Sequence, residues 1–356
     1  MPMCELASSH RRRHLARFGT VLCALLVTGT ATSLRADPVA DFYRGRTLNL
    51  ISGFTPNGEF DSYLRLLGRH IGRHVPGQPQ VVSSSRPGAG SMILANHLYN
   101  VATADGSVLG MFAMQVAVEP FLKNAAAVFD PLKFNWIGSL TRDQHFCAVV
   151  PGPGIPETFD ELVRKETKEV LFGTSARSSE IYRFTAPLKK LLSARIRLVS
   201  GYAGMPAIKL ALQRGEVNGV CGLTAAALRR QHGEELRSGR LKLLVQISGP
   251  PTVEFGKLPM VFEFARNDEQ RELVEFFFRT LTNGRPIAAP PGVPAERLAA
   301  LRMALAATLK DEAFLDDAKR LNIDVGPIFD KEIASQLQRL SENPEAFFRK
   351  VREVLD

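Results

Sequence analysis

Short apolar runs alternate with amphipathic stretches along most of the chain. The runs typical of buried strands lie at 47–54, 80–85, 107–112, 134–140, 146–151, 169–175, 195–201, 217–222 and 241–248. Between many of them, apolar residues recur at helical spacing, as in 158–165 and 206–214. Strands that alternate with helices in this way predict an α/β fold with parallel sheets. Amphipathic helices are also predicted over 294–309, 312–321 and 330–355.

Proline and glycine divide this pattern into two parts. The segment 149–162 contains three prolines and begins a new α/β unit, and a second proline-rich segment, 248–259, ends it. A chain that crosses twice between two bodies would have residues 146–248 as an inserted second lobe. Residues 37–145 and 249–356 would then build the first lobe.

The amino terminus has the pattern of an export signal. Arg11, Arg12 and Arg13 precede the apolar run 21–27, and small residues follow as far as Ala36. This order predicts a secretory signal peptide over residues 1–36, cleaved near Ala36 or Ala31. No later run approaches the roughly twenty apolar residues of a membrane helix. We therefore expect an exported, soluble protein, by either the general or the twin-arginine route.

The net charge indicates which class of ligand to expect, and the cysteines leave two alternatives for the core. Removal of residues 1–36 takes away five Arg and one Glu, so the formal charge falls from +9 to +5. A moderately basic exported protein suits anionic ligands, and without a Lys/Arg block interleaved with aromatics we expect no nucleic-acid binding. Cys147 and Cys221 remain after cleavage, and both a disulfide and two free buried thiols are open.

One turn near the start of the mature chain is a candidate anion site. The apolar run 48–51 leads through Thr55, Asn57 and Gly58 into a helical stretch. A helix start leaves backbone N–H groups unpaired, which favours an anion there. The alternative is an ordinary connection, in which Asn and Gly supply the backbone angles. Asp61 is better placed to stabilise the first helical turn than to meet an anion.

Several motifs occur in an order and spacing that are together fairly specific. They are TPNGEFD (55–61), RPGAGS (86–91), FDP (129–131), TSARSS (174–179), YAGMPA (202–207), LQRGEVN (212–218) and APPGVP (289–294). With them, the chain resembles the periplasmic solute-binding proteins of tripartite tricarboxylate transporters, also called the Bug family. The resemblance implies a type II periplasmic-binding-protein (Venus flytrap) fold, with a ligand cleft between two lobes. It also implies delivery of the ligand to a membrane permease.

The resemblance further implies that the first turn and a facing loop of the second lobe grip a carboxylate. Asn57 stands where the family has Gly, and Arg177 stands in a loop where the family has Gly-x-Gly, so Arg177 could clamp a carboxylate through two hydrogen bonds. Asn218 replaces a family Asp, and the identity of the ligand does not transfer. The candidate ligand-binding residues are Thr55, Asn57, Gly58, Asp61, Ser175, Arg177, Ser178, Ser179, Tyr202 and Gly204.

The resulting hypothesis is a monomeric, non-enzymatic receptor for a small organic carboxylate that serves a tripartite tricarboxylate-type permease. An exported serine-type hydrolase acting on a small ester or amide, with Ser175 or Ser178 as nucleophile, is the weaker alternative, because no base adjoins either serine in the sequence. A ligand sensor without a transport role is a third. No cofactor or metal is expected, since His70 and His74 have metal-ligand spacing but no evident third ligand.

Overall fold

Eleven strands in the described part of the chain form two separate sheets. The computed structural model describes residues 37–177, 179–279 and 284–356. The strands are β1 (Thr47–Ser52), β2 (Gln80–Ser85), β3 (Val108–Met111), β4 (Asn135–Ser139), β5 (His145–Val149), β6 (Val170–Gly173), β7 (Ile196–Val199), β8 (Gly219–Thr224), β9 (Lys242–Gln246), β10 (Pro286–Ala289) and β11 (Ile328–Phe329). The first sheet has the order β11-β4-β10-β3-β1-β2, and the second has the order β7-β6-β8-β5-β9.

Helices cover both sheets. They are α1 (Pro38–Tyr43), α2 (Glu59–His70), α3 (Met92–Asn100), α4 (Met114–Ala117), α5 (Phe159–Leu162), α6 (Glu180–Leu192), α7 (Met205–Gln213), α8 (Ala225–Gln231), α9 (Gly233–Arg237), α10 (Asp268–Arg279), α11 (Ala295–Thr308), α12 (Glu312–Arg320), α13 (Asp330–Ser341) and α14 (Glu345–Leu355), with 3₁₀ turns at Ile71–His74, Ala89–Ser91 and Val261–Phe264. Within the described ranges, no helix has both the length and the apolar character needed to cross a bilayer.

Strand β1 sets up the first sheet. Leu48 and Leu50 are fully buried, and the residues between them are half-buried, which is the alternation of a strand with one face on a core. It pairs in parallel with β2 on one side and β3 on the other. The segments that follow these strands therefore lie side by side at one edge. Gly53 shows how close they come, because a Cβ there would overlap the Cβ of Ser91.

The sequence pattern predicted parallel sheets, but both sheets are mixed. Strand β10 runs antiparallel to β3 and β4, and β5 runs antiparallel to β8 and β9. Strand β5 is the first strand after the chain passes from the first sheet to the second, and β10 is the first strand after it returns. Neither is preceded by a helical crossover from a strand of its own sheet, so neither has to run parallel to its neighbours. The α/β class and the two-sheet architecture are confirmed.

A disulfide joins the middle of the second sheet. Cys147 on β5 lies opposite Cys221 on β8, with the Cα atoms 4.0 Å apart, and the two sulfurs are bonded. Both residues are fully buried in the apolar core under that sheet. Of the two alternatives that the sequence left open, the structure has the bridge.

The second sheet recruits helices from the carboxyl-terminal part of the chain. All of its strands fall at 145–246, which lies close to the predicted inserted lobe. However, α10 and α14 pack on α6, although the prediction placed all of 249–356 in the first lobe. These helices pack there because the contact buries apolar surface. Phe277 on α10 and Val351 on α14 complete the core around α6. The lobe boundaries themselves remain a prediction.

Candidate functional site

The turn between β1 and α2 is shaped by a buried carboxylate. Asp61 is 2% exposed, and its Oδ2 accepts hydrogen bonds from the backbone N–H of Asn57 (2.9 Å) and from Nε of Arg65 (2.7 Å). Asn57 has a φ of 64°, a left-handed conformation in which asparagine is enriched. Thr55 and Asn57 are exposed, and Gly58 precedes the helix without a side-chain cap. Asp61 thus lies beneath the turn and holds its shape.

The loop between β6 and α6 is organised by serine hydroxyls. Ser175 Oγ donates to Ser179 Oγ at 2.7 Å, and Ser179 Oγ accepts from the backbone N–H of Tyr182 at 3.3 Å, which caps α6. Arg177 is exposed. Ser178, also predicted to bind ligand, lies outside the described residues. This loop has the same order as the turn before α2, with a strand that leads through a short polar segment into a helix.

Tyr202 and Gly204 lie beside this loop. The backbone N–H of Tyr202 donates to the carbonyl of Thr174 at 3.3 Å, because β6 and β7 are parallel neighbours. The side chain of Tyr202 is half-buried, and its hydroxyl lies 3.5 Å from Glu216. Gly204 has a φ of 139° immediately before α7. The predicted residues of the second sheet are therefore neighbours around the ends of β6 and β7.

Arg285 is the centre of a buried charge cluster that the sequence did not reveal. Its side chain is 4% exposed. One guanidinium nitrogen, Nη1, lies 2.6 Å from Asp143 Oδ2, and the other, Nη2, lies 3.0 Å from Glu59 Oε1. The guanidinium also lies over the ring of Phe60, 4.3 Å from its centre. The carboxylates account for the stability of the buried cation and keep its pKa above the ordinary arginine value, although burial opposes this.

Glu180 brings the second sheet to the same cluster. It is the first residue of α6 and is half-buried. Burial raises its pKa to about 7, an effect that Arg285 opposes and that Asp143 and Glu59 increase. Glu59 is the first residue of α2, so the amino-terminal ends of α2 and α6 both lie within electrostatic reach of one guanidinium.

His145 lies behind α6 and is not placed to activate a serine of the loop. It is 2% exposed, its Nδ1 is 2.8 Å from Ser248 Oγ, and its ring lies 4.7 Å from that of Phe184. Burial lowers its pKa, which favours the neutral ring. Among the described residues, the side-chain hydrogen bond of Ser175 is to another serine. The geometry gives no support to a serine–histidine pair at this loop.

A cavity of about 370 Å³ lies beside the charge cluster and is lined from both sheets. Glu59 and Tyr63 on α2 line one side, and Thr224 and Ala225 at the start of α8 line another. The remaining lining residues are Thr141, Arg142, Asp143, Gln144, Ala226, Pro250, Asp324, Val325, Gly326 and Pro327. This volume is that of a small-molecule site. Its lining includes none of the ten predicted contacts, but Glu59 immediately follows Gly58.

A signal for part of this arrangement was present in the sequence. Glu59 directly follows a polar turn at the start of a predicted helix, where acidic residues are favoured by the helix dipole, and Glu180 directly follows the polar segment 174–179. The central arginine could not be found from such local patterns. Arg285 is far from its partners in the chain, for example 142 residues from Asp143.

Known proteins resemble this chain in sequence and in fold. No protein-family model matches the chain. Protein BugT of Bordetella pertussis is 26% identical over 256 residues, which are 68% of this chain and 74% of BugT. The chain is thus similar to a Bug protein over most of its length. A solved periplasmic binding protein, BugD, has the same fold, with a TM-score of 0.59 at 19% identity.

Solved structures with the same fold include binding proteins. A TctC solute-binding protein from Polaromonas, solved without ligand, has a TM-score of 0.65 at 19% identity, and the match covers 87% of this chain and 99% of that protein. An R. palustris protein solved with adipate has a TM-score of 0.62 at 20% identity, with coverages of 87% and 97%. MatC of Rhodopseudomonas palustris, solved with malate, has a TM-score of 0.59 at 18% identity, with coverages of 87% and 99%.

Proposed function

We propose that this chain is an exported, periplasmic solute-binding receptor. It captures a small carboxylate between two lobes and delivers it to a tripartite tricarboxylate-type permease. The observation that carries the proposal is the convergence of α2 and α6, whose first residues, Glu59 and Glu180, both lie within electrostatic reach of Arg285. The sequence similarity to BugT supports it, as do the adipate and malate found in proteins with the same fold.

The chemistry of a helix start suits a carboxylate. The first N–H groups of α2 and α6 have no partner within their helices, and the helix dipoles favour negative charge there by about 0.3–1 kcal/mol each when exposed. In the proposed site Thr55 and Asn57 contribute from the first turn, and Arg177 contributes a positive charge from the facing loop. The other proposed contacts are Gly58, Ser175, Ser178, Ser179, Tyr202 and Gly204, while Asp61 supports the first turn from beneath.

A thermal-shift and calorimetric screen against malate, adipate, citrate and benzoate tests this proposal. Saturating ligand should stabilise the protein by about 2.7 kcal/mol at a hundredfold excess over Kd. Arg177→Ala should weaken binding by about tenfold or more, since hydrogen bonds to charged groups contribute about 1.5–3 kcal/mol. Arg197→Ala is the control, because Arg197 is also exposed but lies within β7.

The result has three informative outcomes. Binding that Arg177→Ala weakens and Arg197→Ala does not would support the site as proposed. Equal affinity in both variants would keep the receptor and remove Arg177 from its cleft. If none of the four acids binds, the carboxylate proposal fails.

Nuclear magnetic resonance of the bound ligand over one day separates a receptor, which returns it unchanged, from a hydrolase. Loss of uptake after deletion separates transport from sensing.

A further inference from the structure

We propose that Arg285 is a positioning residue that fixes the start of α2 against the segments connecting the two sheets. The inference rests on the proposed function only where it predicts affinity. Its structural part concerns the molecule without ligand. Arg285 is buried, and both of its terminal nitrogens have acidic partners on different segments of the chain.

The first partner, Asp143, lies in residues 140–144, where the chain passes from the first sheet into the second. We call this segment, and the return segment before β10, the two passages. Asp143 lies between β4 and β5, and its Oδ1 accepts from Thr141 Oγ1 at 2.9 Å while Oδ2 pairs with Arg285. Arg285 itself lies at the return passage, one residue before β10. A Cβ at Gly284 would lie 2.5 Å from the Asp143 carboxylate, so the two passages are in direct contact.

The second partner ties the same guanidinium to the turn proposed to hold ligand. Glu59 Oε1 forms an ion pair with Nη2 at 3.0 Å, and the guanidinium lies over the rings of Phe60 and Tyr63, 4.3 and 4.9 Å from their centres. Three residues in the first turns of α2 therefore meet one planar cation. A planar guanidinium can make bidentate and stacking contacts together, which a lysine ammonium cannot.

The terminal nitrogens of Arg285 face groups of the protein itself, and its Nε is buried without a hydrogen-bond partner among the described residues. With Asp143 and Glu59 already bound, and the carbonyl of Gly284 accepting from Nη1 at 2.6 Å, both terminal nitrogens of Arg285 are engaged within the protein. Arg285 then acts on a ligand indirectly, by holding the N–H groups of the α2 start in one orientation relative to the passages. Preorganised donors bind more tightly than mobile ones because less freedom is lost on binding.

The test uses Glu59, which is one-third exposed, because replacing buried Arg285 would leave two acidic groups uncompensated and could prevent folding. Glu59→Ala removes the contact with Arg285, whereas Glu59→Gln removes the charge and keeps an oxygen within reach of the guanidinium. Glu345→Ala is the matched control, since Glu345 is also the first residue of a helix and pairs with Arg352 at 2.6 Å.

Two readouts are measured for each variant. The first is hydrogen–deuterium exchange of the peptide covering residues 55–67 in ligand-free protein. We expect exchange about tenfold faster in Glu59→Ala and close to wild type in Glu59→Gln and Glu345→Ala. The second is the Kd for malate, which should rise in Glu59→Ala and be rescued in Glu59→Gln. Loss of a negative charge alone would instead lower the Kd for an anion in both Glu59 variants.

Equal exchange in Glu59→Ala and wild type would overturn the inference, as would equal exchange in the two Glu59 variants. Tighter malate binding in both variants would also overturn it, because the contact would then act only through charge. If wild-type protein binds none of the screened acids, the proposed function fails while the exchange measurement still decides the role of Arg285.

Discussion

The disulfide in the second sheet should contribute a large part of its stability. Cys147 and Cys221 are separated by 74 residues in the chain. Closing a loop of that length removes about 4.5 kcal/mol of conformational freedom from the unfolded state at 25 °C. Both cysteines are fully buried, so Cys147→Ala/Cys221→Ala replaces the bridge with small apolar side chains and leaves no buried thiol. We therefore expect the double variant to lose about 4 kcal/mol of unfolding free energy.

Urea unfolding of the oxidised wild type, the reduced wild type and the double variant measures this loss. Reduction and the double substitution should both shift the transition to lower urea by similar amounts, because both free the same 74-residue loop. A reduced wild type as stable as the oxidised protein would refute the reasoning. A loss seen only in the double variant would assign the effect to packing rather than to the covalent link.

Two further substitutions test the charge cluster. Burial raises the pKa of Glu180 to about 7, with Asp143 and Glu59 adding to the rise, so the folded protein holds a proton that the unfolded chain releases near pH 4.5. Stability should therefore fall as pH rises from about 4.5 to 7, and Glu180→Gln should remove that fall in melting temperatures measured from pH 4.5 to 8; an unchanged profile would contradict it. Gly284→Ala forces a Cβ to within 2.5 Å of the Asp143 carboxylate and should cost about 1–3 kcal/mol in urea unfolding. Gly152→Ala, with room for its Cβ, should be nearly neutral, and equal losses in the two would count against the tight passage.

Nine of the eleven described strands were accessible from the sequence as short strand-like runs, whereas β10 and β11, with only four and two residues, were not predicted. Periodicity was less informative about interruptions. It predicted amphipathic helix over 330–355, but the chain breaks this stretch into α13 and α14. Pro344 lies at the break and immediately precedes α14, where its missing N–H and fixed φ are compatible with a helix start.

The site was only partly accessible. Local patterns located the turn at Thr55 and the loop at Ser175, because strand-to-helix connections have recognisable residues. The partnership of Arg285 with Asp143 depends on how two distant passages of the chain approach each other. Likewise, the burial of Asp61 beneath its own turn follows from tertiary packing, which spacing along a helix does not encode.

The last two helices have a mechanical consequence. Helix α13 packs on β4 of the first sheet, whereas α14 packs on α6 of the second. The chain therefore links the two bodies a third time, at 342–344, in addition to the passages before β5 and before β10. Any displacement of one sheet relative to the other would therefore have to bend three connections of the chain together, and α14 would move with the second sheet.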